Sequence, residues 1–433
     1  MGLAVEADLG VPALVLKVGQ YPVHSGGVGV IRSLGRMGVR VFATTEPGLT
    51  PAAWSRYCAG HFTWRVTGAE EPAEIAAQLA VIGGKIARQA GRRAVAIPVD
   101  DESAVLLAER AAELAECLAF PAVPSGLPRR LASKSGLREL CAEHKIPTPA
   151  SVVPASAAEA ERFAATATFP VVVKNAGIWE RRRRNPAGAS LGASASGARV
   201  LRTGAELQGL IRPDGMAPGL LIQEHIPADR AENWFVHLYC DASSNCQVLF
   251  TGLKVRSWPV DAGVTACGVS VSRPDLAELA SRFCKEVGYQ GIADLDWVRD
   301  LRDGEFKLVD FNPRVGNQFR LFQTGDGVDV VRALHLDLTG RKVPAGRQID
   351  GRRMVVEHID LAARVAYRRL GGVAGSGAGR TRVPDPEATE FAWLAADDPM
   401  PGLVVLTRVL SLARIIKRGL RPRRGRAGDR GAP

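Results

Sequence analysis

The chain has 433 residues, 46% of them apolar and 23% charged, with a formal net charge of +11. That length exceeds what one hydrophobic core supports and implies roughly two to four domains, while the composition excludes a disordered or fibrous protein. The charge argues poorly for nucleic-acid binding, because nine Lys or Arg against one Asp fall between Arg408 and Pro433, which leaves only +3 for the rest of the chain.

PALVLKV (12–18) reads as a strand, HSGGVG (24–29) as a glycine-rich turn into a helix, and VRVFAT (39–44) as a second strand. A third strand is expected at 94–98, with a helix from Asp101. This alternation predicts a parallel α/β unit over about 10–125. The turn lacks the GxGxxG spacing and the following acid of a dinucleotide site, and no GxxxxGK[ST] loop occurs, so NAD and P-loop chemistry are set aside. No biotin-carrier segment and no solenoid repeat are found.

Further on, 131–151 reads as a helix stopped by two prolines, and FPVVVKN (169–175) and LLIQEH (220–225) as strands. Between those strands lies a Gly-, Ala-, Ser- and Arg-rich stretch too polar for a core, expected as a functional loop. Residues 232–241 and 246–255 read as an antiparallel pair, 275–288 and 328–338 as helices, and GIADLDWVRD and EFKLVDFNPR as a hairpin around LRDGE. The seven cysteines (Cys58, Cys117, Cys141, Cys240, Cys246, Cys267, Cys284) form no CxxC pair and no apolar signal segment opens the chain. Free thiols in a reducing cytoplasm are expected, with no zinc site.

The hairpin carries the chemistry. With Arg302-Asp303-Gly304 as its loop, Asp296 sits opposite Asp310 and Asp294 opposite Asn312, all on one face, while Leu295, Trp297, Val309 and Phe311 turn to the core. Carboxylates grouped on a half-buried sheet repel one another. Two readings stand here: a wet polar face with Arg314 in an ion pair, or a hard cation such as Mg²⁺ held by the carboxylates and completed by substrate phosphates, with Arg314 clamping a phosphate or carboxylate.

The strand ending in DFNPR, the acid at Asp296, FPVVVKN and LLIQEHIP together resemble the ATP-grasp superfamily, and within it the carboxylate–amine ligase branch that includes D-aspartate ligase. LTPAAWSRY (49–57) and DDPMP (397–401) are also similar to that branch, so the resemblance spans about 12–400. It implies an α/β protein with the α+β ATP-grasp fold. A parallel α/β domain would fill 1–125. The ATP-grasp domain would fill 126–345, as a small flap subdomain at 150–225 and a larger sheet at 226–345. A C-terminal extension would fill 346–433.

The resemblance also implies site roles. Lys174 and Lys134 would contact ATP. Gln223, Glu224, His225 and Ile226 would form the adenine-reading hinge, and Glu232 would bind the ribose. Asp296, Asp310 and Asn312 would carry Mg²⁺, with Mn²⁺ as a substitute, and Arg314 would stabilise the transferred phosphoryl group. The family usually has Glu in place of Asp310, and often Glu or Gln in place of Asp296. Lys254 and Arg256, two apart on one strand, either meet the donor carboxylate or γ-phosphate or are solvated. The glycine-rich 184–198 would be the flap, and Arg181–Arg184 either a solvated run or an attractor for an anionic, nucleotide-linked or cell-wall precursor.

The implied reaction is ADP-forming ligation of a small-molecule carboxylate to an amine. Rival readings are an ATP-grasp carboxylase or carbamoylating enzyme, and a non-catalytic ATP-binding module at a membrane. In the tail, Val405, Leu406, Val409, Leu412, Ala413 and Ile416 share a helical stripe with Arg408, Arg414, Lys417 and Arg418 interleaved. That helix either packs on the body or lies peripherally on the inner, anionic face of a membrane.

Overall fold

Five short strands open the fold: β1 (Ala13–Leu16), β2 (Val41–Thr45), β3 (Cys58–Thr63), β4 (Ala94–Pro98) and β5 (Leu118–Ala119). They pair in parallel in the order β3-β2-β1-β4-β5, as the alternation predicted. The computed structural model describes residues 5–19, 23–66, 70–175, 199–210, 220–258, 260, 263–369, 381–383 and 385–419. The flap 184–198 and Arg181–Arg184 therefore lie outside the described residues, as do the side chains of Lys174 and of 412–419. The stretch HSGGVG begins the helix Ser25–Gly35, with His24 Nδ1 accepting the Gly27 N–H at 3.1 Å. A methyl group on Gly29 would stand 2.8 Å from the Phe319 ring, so the glycine serves close packing against the chain that follows the DFNPR strand.

A small four-stranded antiparallel sheet follows, ordered β6-β9-β7-β8, from β6 (Ser151–Val152), β7 (Val171–Asn175), β8 (Arg199–Leu201) and β9 (Leu220–Glu224). It has its own core of Ala160, Val171, Val173, Leu201, Leu207 and Ile222. The expected single helix at 131–151 is two, Leu127–Ala132 and Lys134–Glu143. Ser133 breaks them with extended backbone, and its hydroxyl accepts the Gly136 N–H at 3.0 Å. Lys134 thereby becomes the first residue of the second helix.

The largest sheet has seven strands ordered β14-β13-β10-β11-β12-β15-β16. They are β10 (Ala231–Cys240), β11 (Cys246–Trp258), β12 (Val264–Ser270), β13 (Gly291–Asp300), β14 (Phe306–Asn312), β15 (Arg352–Val355) and β16 (Ala388–Phe391). One face packs Trp234, Leu295, Trp297, Leu308 and Phe311 against the helices Lys134–Glu143 and Pro274–Glu286. The other packs Phe235 and Phe250 against Phe322, from the chain after β14, in a core shared with Val15, Val30 and Ile31 of the first domain. All seven cysteines are free, but three gather in space: Cys240 and Cys246, cross-strand partners, lie Sγ to Sγ at 3.0 Å, with Cys284 beside them.

The segment after 346 is woven into the body. β15 and β16 extend the large sheet, and the helix Met400–Gly419 packs on the turn Pro51–Trp54. The stretches LTPAAWSRY and DDPMP meet here. Asp398 accepts from Arg32 Nε at 2.9 Å, Ser55 Oγ at 2.7 Å and the Arg56 N–H at 2.9 Å, and both Arg32 and Asp398 side chains are 1% exposed. Asp397 pairs with Arg36 at 2.8 Å and accepts from Tyr57 Oη at 2.8 Å. Within the C-terminal helix the expected stripe is corrected in part: Val404 and Val405 are buried, whereas Leu406 faces solvent.

Candidate active site

The hairpin β13–β14 reaches the expected register by an unexpected route. Asp296 pairs with Asp310 and Asp294 with Asn312, as predicted. The turn is one residue longer than expected, because the Asp300 N–H bonds to the Glu305 carbonyl. Gly304 still takes the left-handed conformation, φ +80. A β-bulge between Asp296 and Trp297 compensates, so that Leu308 rather than Val309 lies opposite Trp297 and fills the core. Val309 is the extra residue, and its carbonyl accepts from Lys134 Nζ at 3.2 Å.

Each acid of the pair is met by a lysine. Lys134 Nζ lies 2.6 Å from Asp310 Oδ1, and Lys254 Nζ lies 2.9 Å from Asp296 Oδ1. Burial raises the Asp296 pKa; Lys254 opposes the rise, and Asp294 and Asp310 add to it. The Asn312 amide donates to the Asp294 backbone carbonyl at 3.0 Å, leaving its own carbonyl oxygen for a ligand. Among the described residues no three His, Cys, Asp or Glu converge as a metal cage. Two facing carboxylates and an amide oxygen fit Mg²⁺, which takes few protein ligands and completes its shell with water and phosphate.

Arg314 is anchored on both sides. Its Nη1 donates to Asp294 Oδ2 at 2.9 Å, and its Nε lies 3.4 Å from Asp101 Oδ1, in the first turn of the helix after β4. Burial works against the charged guanidinium, but Asp101 and Asp294 outweigh it and raise its pKa above the ordinary arginine value. Behind Asp294 stands His237, whose Nε2 is 3.2 Å from Asp294 Oδ1 without hydrogen-bond geometry. Burial, only partly opposed by Asp294, pulls the His237 pKa to about 4 and keeps the ring neutral. Gly316 closes the packing, since a methyl group there would stand 2.6 Å from Asp294 Oδ2. Asp294, Asp101 and His237 were not in the expected set. The alternation along β13 signals Asp294, but Asp101 and His237 become neighbours only through the fold.

Glu224 pairs with Arg302 of the hairpin turn at 2.5 Å, and Arg302 also holds Asp300, so the end of β9 is tied to the large sheet. Gln223 is buried beside it, and the His225 N–H bonds to the Pro170 carbonyl; Ile226 follows, partly buried. Glu232 is buried, accepts from Trp234 Nε1 at 3.3 Å and from the Thr381 N–H, and pairs with Arg299 at 3.4 Å. Lys174 lies on β7 opposite Leu221. A bulge at Val255 breaks the expected alternation of β11, so Lys254 turns to Asp296 while Arg256 is held by the buried Asp360 at 2.7 Å.

The fold matches proteins of known structure. An N5-carboxyaminoimidazole ribonucleotide synthetase bound to ADP superposes with a TM-score of 0.58 at 14% identity, over 89% of this chain and 92% of that one. An L-amino acid ligase from Bacillus licheniformis gives 0.55 at 14% identity, over 81% and 79%. The biotin carboxylase domain of the Hydrogenobacter thermophilus 2-oxoglutarate carboxylase, crystallised with MgADP, ADP and bicarbonate, gives 0.55 at 16%, over 79% and 73%. The chain has the ATP-grasp fold.

No family model matches the chain. In sequence, a D-aspartate ligase of Enterococcus faecium (strain Aus0004) is 26% identical over 246 residues, 54% of this chain and 56% of that protein. The chain thus aligns with little more than half the length of this curated relative.

Proposed function

We propose that the chain is an ADP-forming ligase that joins a small-molecule carboxylate to an amine, using ATP and Mg²⁺. The observation that carries this reading is the cross-strand pair Asp296–Asp310 beside Asn312, each acid neutralised by a lysine, with Arg314 fixed at its edge. The sequence likeness to a D-aspartate ligase supports the same class.

The chain's own groups have distinct tasks. Lys134 and Lys254 occupy the positive positions that two adjacent carboxylates require. Asp296, Asp310 and Asn312 would hold a divalent cation, which would neutralise phosphate oxygens, and Lys134 and Lys254 would stand within reach of the triphosphate beside it. Arg314, its planar fork preset by Asp294 and Asp101, orients the substrate carboxylate against the C-terminal ends of β1 and β4, where ligands of parallel sheets bind. A carboxylate oxygen attacks the γ-phosphorus and ADP leaves, giving an acyl phosphate. The amine nitrogen then attacks the acyl carbon, phosphate departs and the nitrogen loses a proton. Positioning and charge neutralisation supply most of the rate in such transfers.

The test is release of ADP and phosphate from Mg·ATP. The panel pairs amino and hydroxy acids, starting with D-aspartate, with candidate amines, and includes bicarbonate as a competing donor. Turnover with one pair is expected, lost in Asp310→Asn by about 100-fold or more. Absence of Mg·ATP binding in the unaltered protein would overturn the assignment.

A further inference from the structure

Six of the fifteen large apolar side chains left exposed among the described residues fall in one region: Leu49, Trp54, Leu394, Leu403, Leu406 and Leu410, each near half-exposed. They come from three segments that the fold brings together. The C-terminal helix lies on the turn Pro51–Trp54 through buried Val404 and Val405. Arg408 Nε donates to the Leu49 carbonyl. Leu394 sits against the helix, its Cδ2 3.0 Å from where a Gly402 methyl would stand. Leu403, Leu406 and Leu410, spaced by three and four, make a leucine ridge on the side of the helix opposite its buried face. The sequence after Leu410 holds eight Lys or Arg against one Asp, Arg414, Lys417 and Arg418 among them.

We infer that this surface docks the protein on an anionic lipid bilayer. Apolar side chains grouped on one ridge, ahead of a strongly basic stretch of sequence, match a surface that offers hydrocarbon beneath negative headgroups. A second copy of the chain is a poor occupant, because with a net charge of +11 it offers little negative charge to the eight Lys or Arg that follow Leu410. A nucleic acid offers phosphate but no hydrocarbon for the leucines. No helix among the described residues is long and apolar enough to span a membrane, so the contact is interfacial.

The full chain would be sedimented with phosphatidylcholine vesicles lacking or containing phosphatidylglycerol, at low and high salt. Binding to the anionic vesicles is expected to exceed binding to the neutral ones by about tenfold and to weaken with salt. Two variants separate the contributions: Leu403→Ser/Leu406→Ser/Leu410→Ser and Arg414→Gln/Lys417→Gln/Arg418→Gln. Each is expected to lower anionic partition by about tenfold with an unchanged melting temperature. No preference for anionic vesicles overturns the inference, as does anionic binding indifferent to the leucines, which would mark nonspecific adsorption of a basic segment. A self-associated protein that the serine variant turns into monomers, with no vesicle binding, would assign the ridge to a contact between copies instead.

Discussion

Two charged clusters in this molecule solve opposite problems. In the clasp between the Arg32 helix and DDPMP, Asp398 receives Arg32, Ser55 and a backbone N–H, and Arg32 spends its other donors on the carbonyls of Ala392, Trp393 and Asp398. The cluster is closed and buried, with no group left for a ligand. On the acid face, Asp296 and Asp310 stand side by side, one lysine each, partly open to solvent. Burial there works against the Asp296 charge. A set of ions completed within the protein serves structure, whereas a set of acids and lysines still open to solvent can exchange its internal pairs for a cation and a phosphate, as proposed above.

Altering one member on each side sharpens the contrast. The largest effect is expected from Arg314→Lys, which keeps a positive charge beside Asp294 and Asp101 but loses the planar fork that orients the substrate carboxylate, and should lower kcat/KM by about 1000-fold while leaving the melting temperature nearly unchanged. A melt that collapses with the activity would class Arg314 with the clasp. Next comes Asp398→Ala, which leaves Arg32 buried and unpaired and should cost about 3–5 kcal/mol of stability. The neighbouring Asp397→Ala removes a solvent-exposed pair with Arg36 and should cost about 1 kcal/mol or less. Denaturant melts of both variants check this; equal losses would show that the clasp does not depend on burial.

Asp294→Asn tests positioning. It keeps the shape but weakens the anchor of Arg314, so kcat should fall by about 10–100-fold with a small change in the KM for ATP. A change confined to KM would place Asp294 at the nucleotide instead. The smallest expected effect is a displaced pH profile. Because the Asp296 pKa is raised, the carboxylate is lost on acidification at a pH above the ordinary aspartate value of about 3.9, and Mg·ATP affinity should fall there. Calorimetric titration across pH would show the fall in the unaltered protein and a flat, weak profile in Asp296→Asn. The same shift makes the folded, ligand-free state bind protons more tightly than the unfolded one, so this carboxyl lowers stability as pH rises through its folded value.

Much was legible in the chain. The alternation of apolar and polar residues along GIADLDWVRD and EFKLVDFNPR determines which side chains share a face, because strand periodicity is local. It put Asp296 beside Asp310 although turn length and bulge were both misjudged, since one extra residue in the turn and one in the strand cancel. The parallel alternation of the first domain was readable for the same reason. What periodicity cannot carry is contact between distant segments. Lys134 reaches Asp310 because Ser133 breaks a helix at the right residue, and Asp101 reaches Arg314 because β4 ends beside the chain leaving β14. Arg256 goes to Asp360 and Glu224 to Arg302 because a bulge and a hairpin turn redirect them. The sequence by itself determined which residue types meet on the acid face, through the two-residue repeat of a strand. Only the tertiary structure decided which lysine and which histidine stand around them and that Asp101 holds Arg314, because those partners are chosen by packing between elements far apart in the chain.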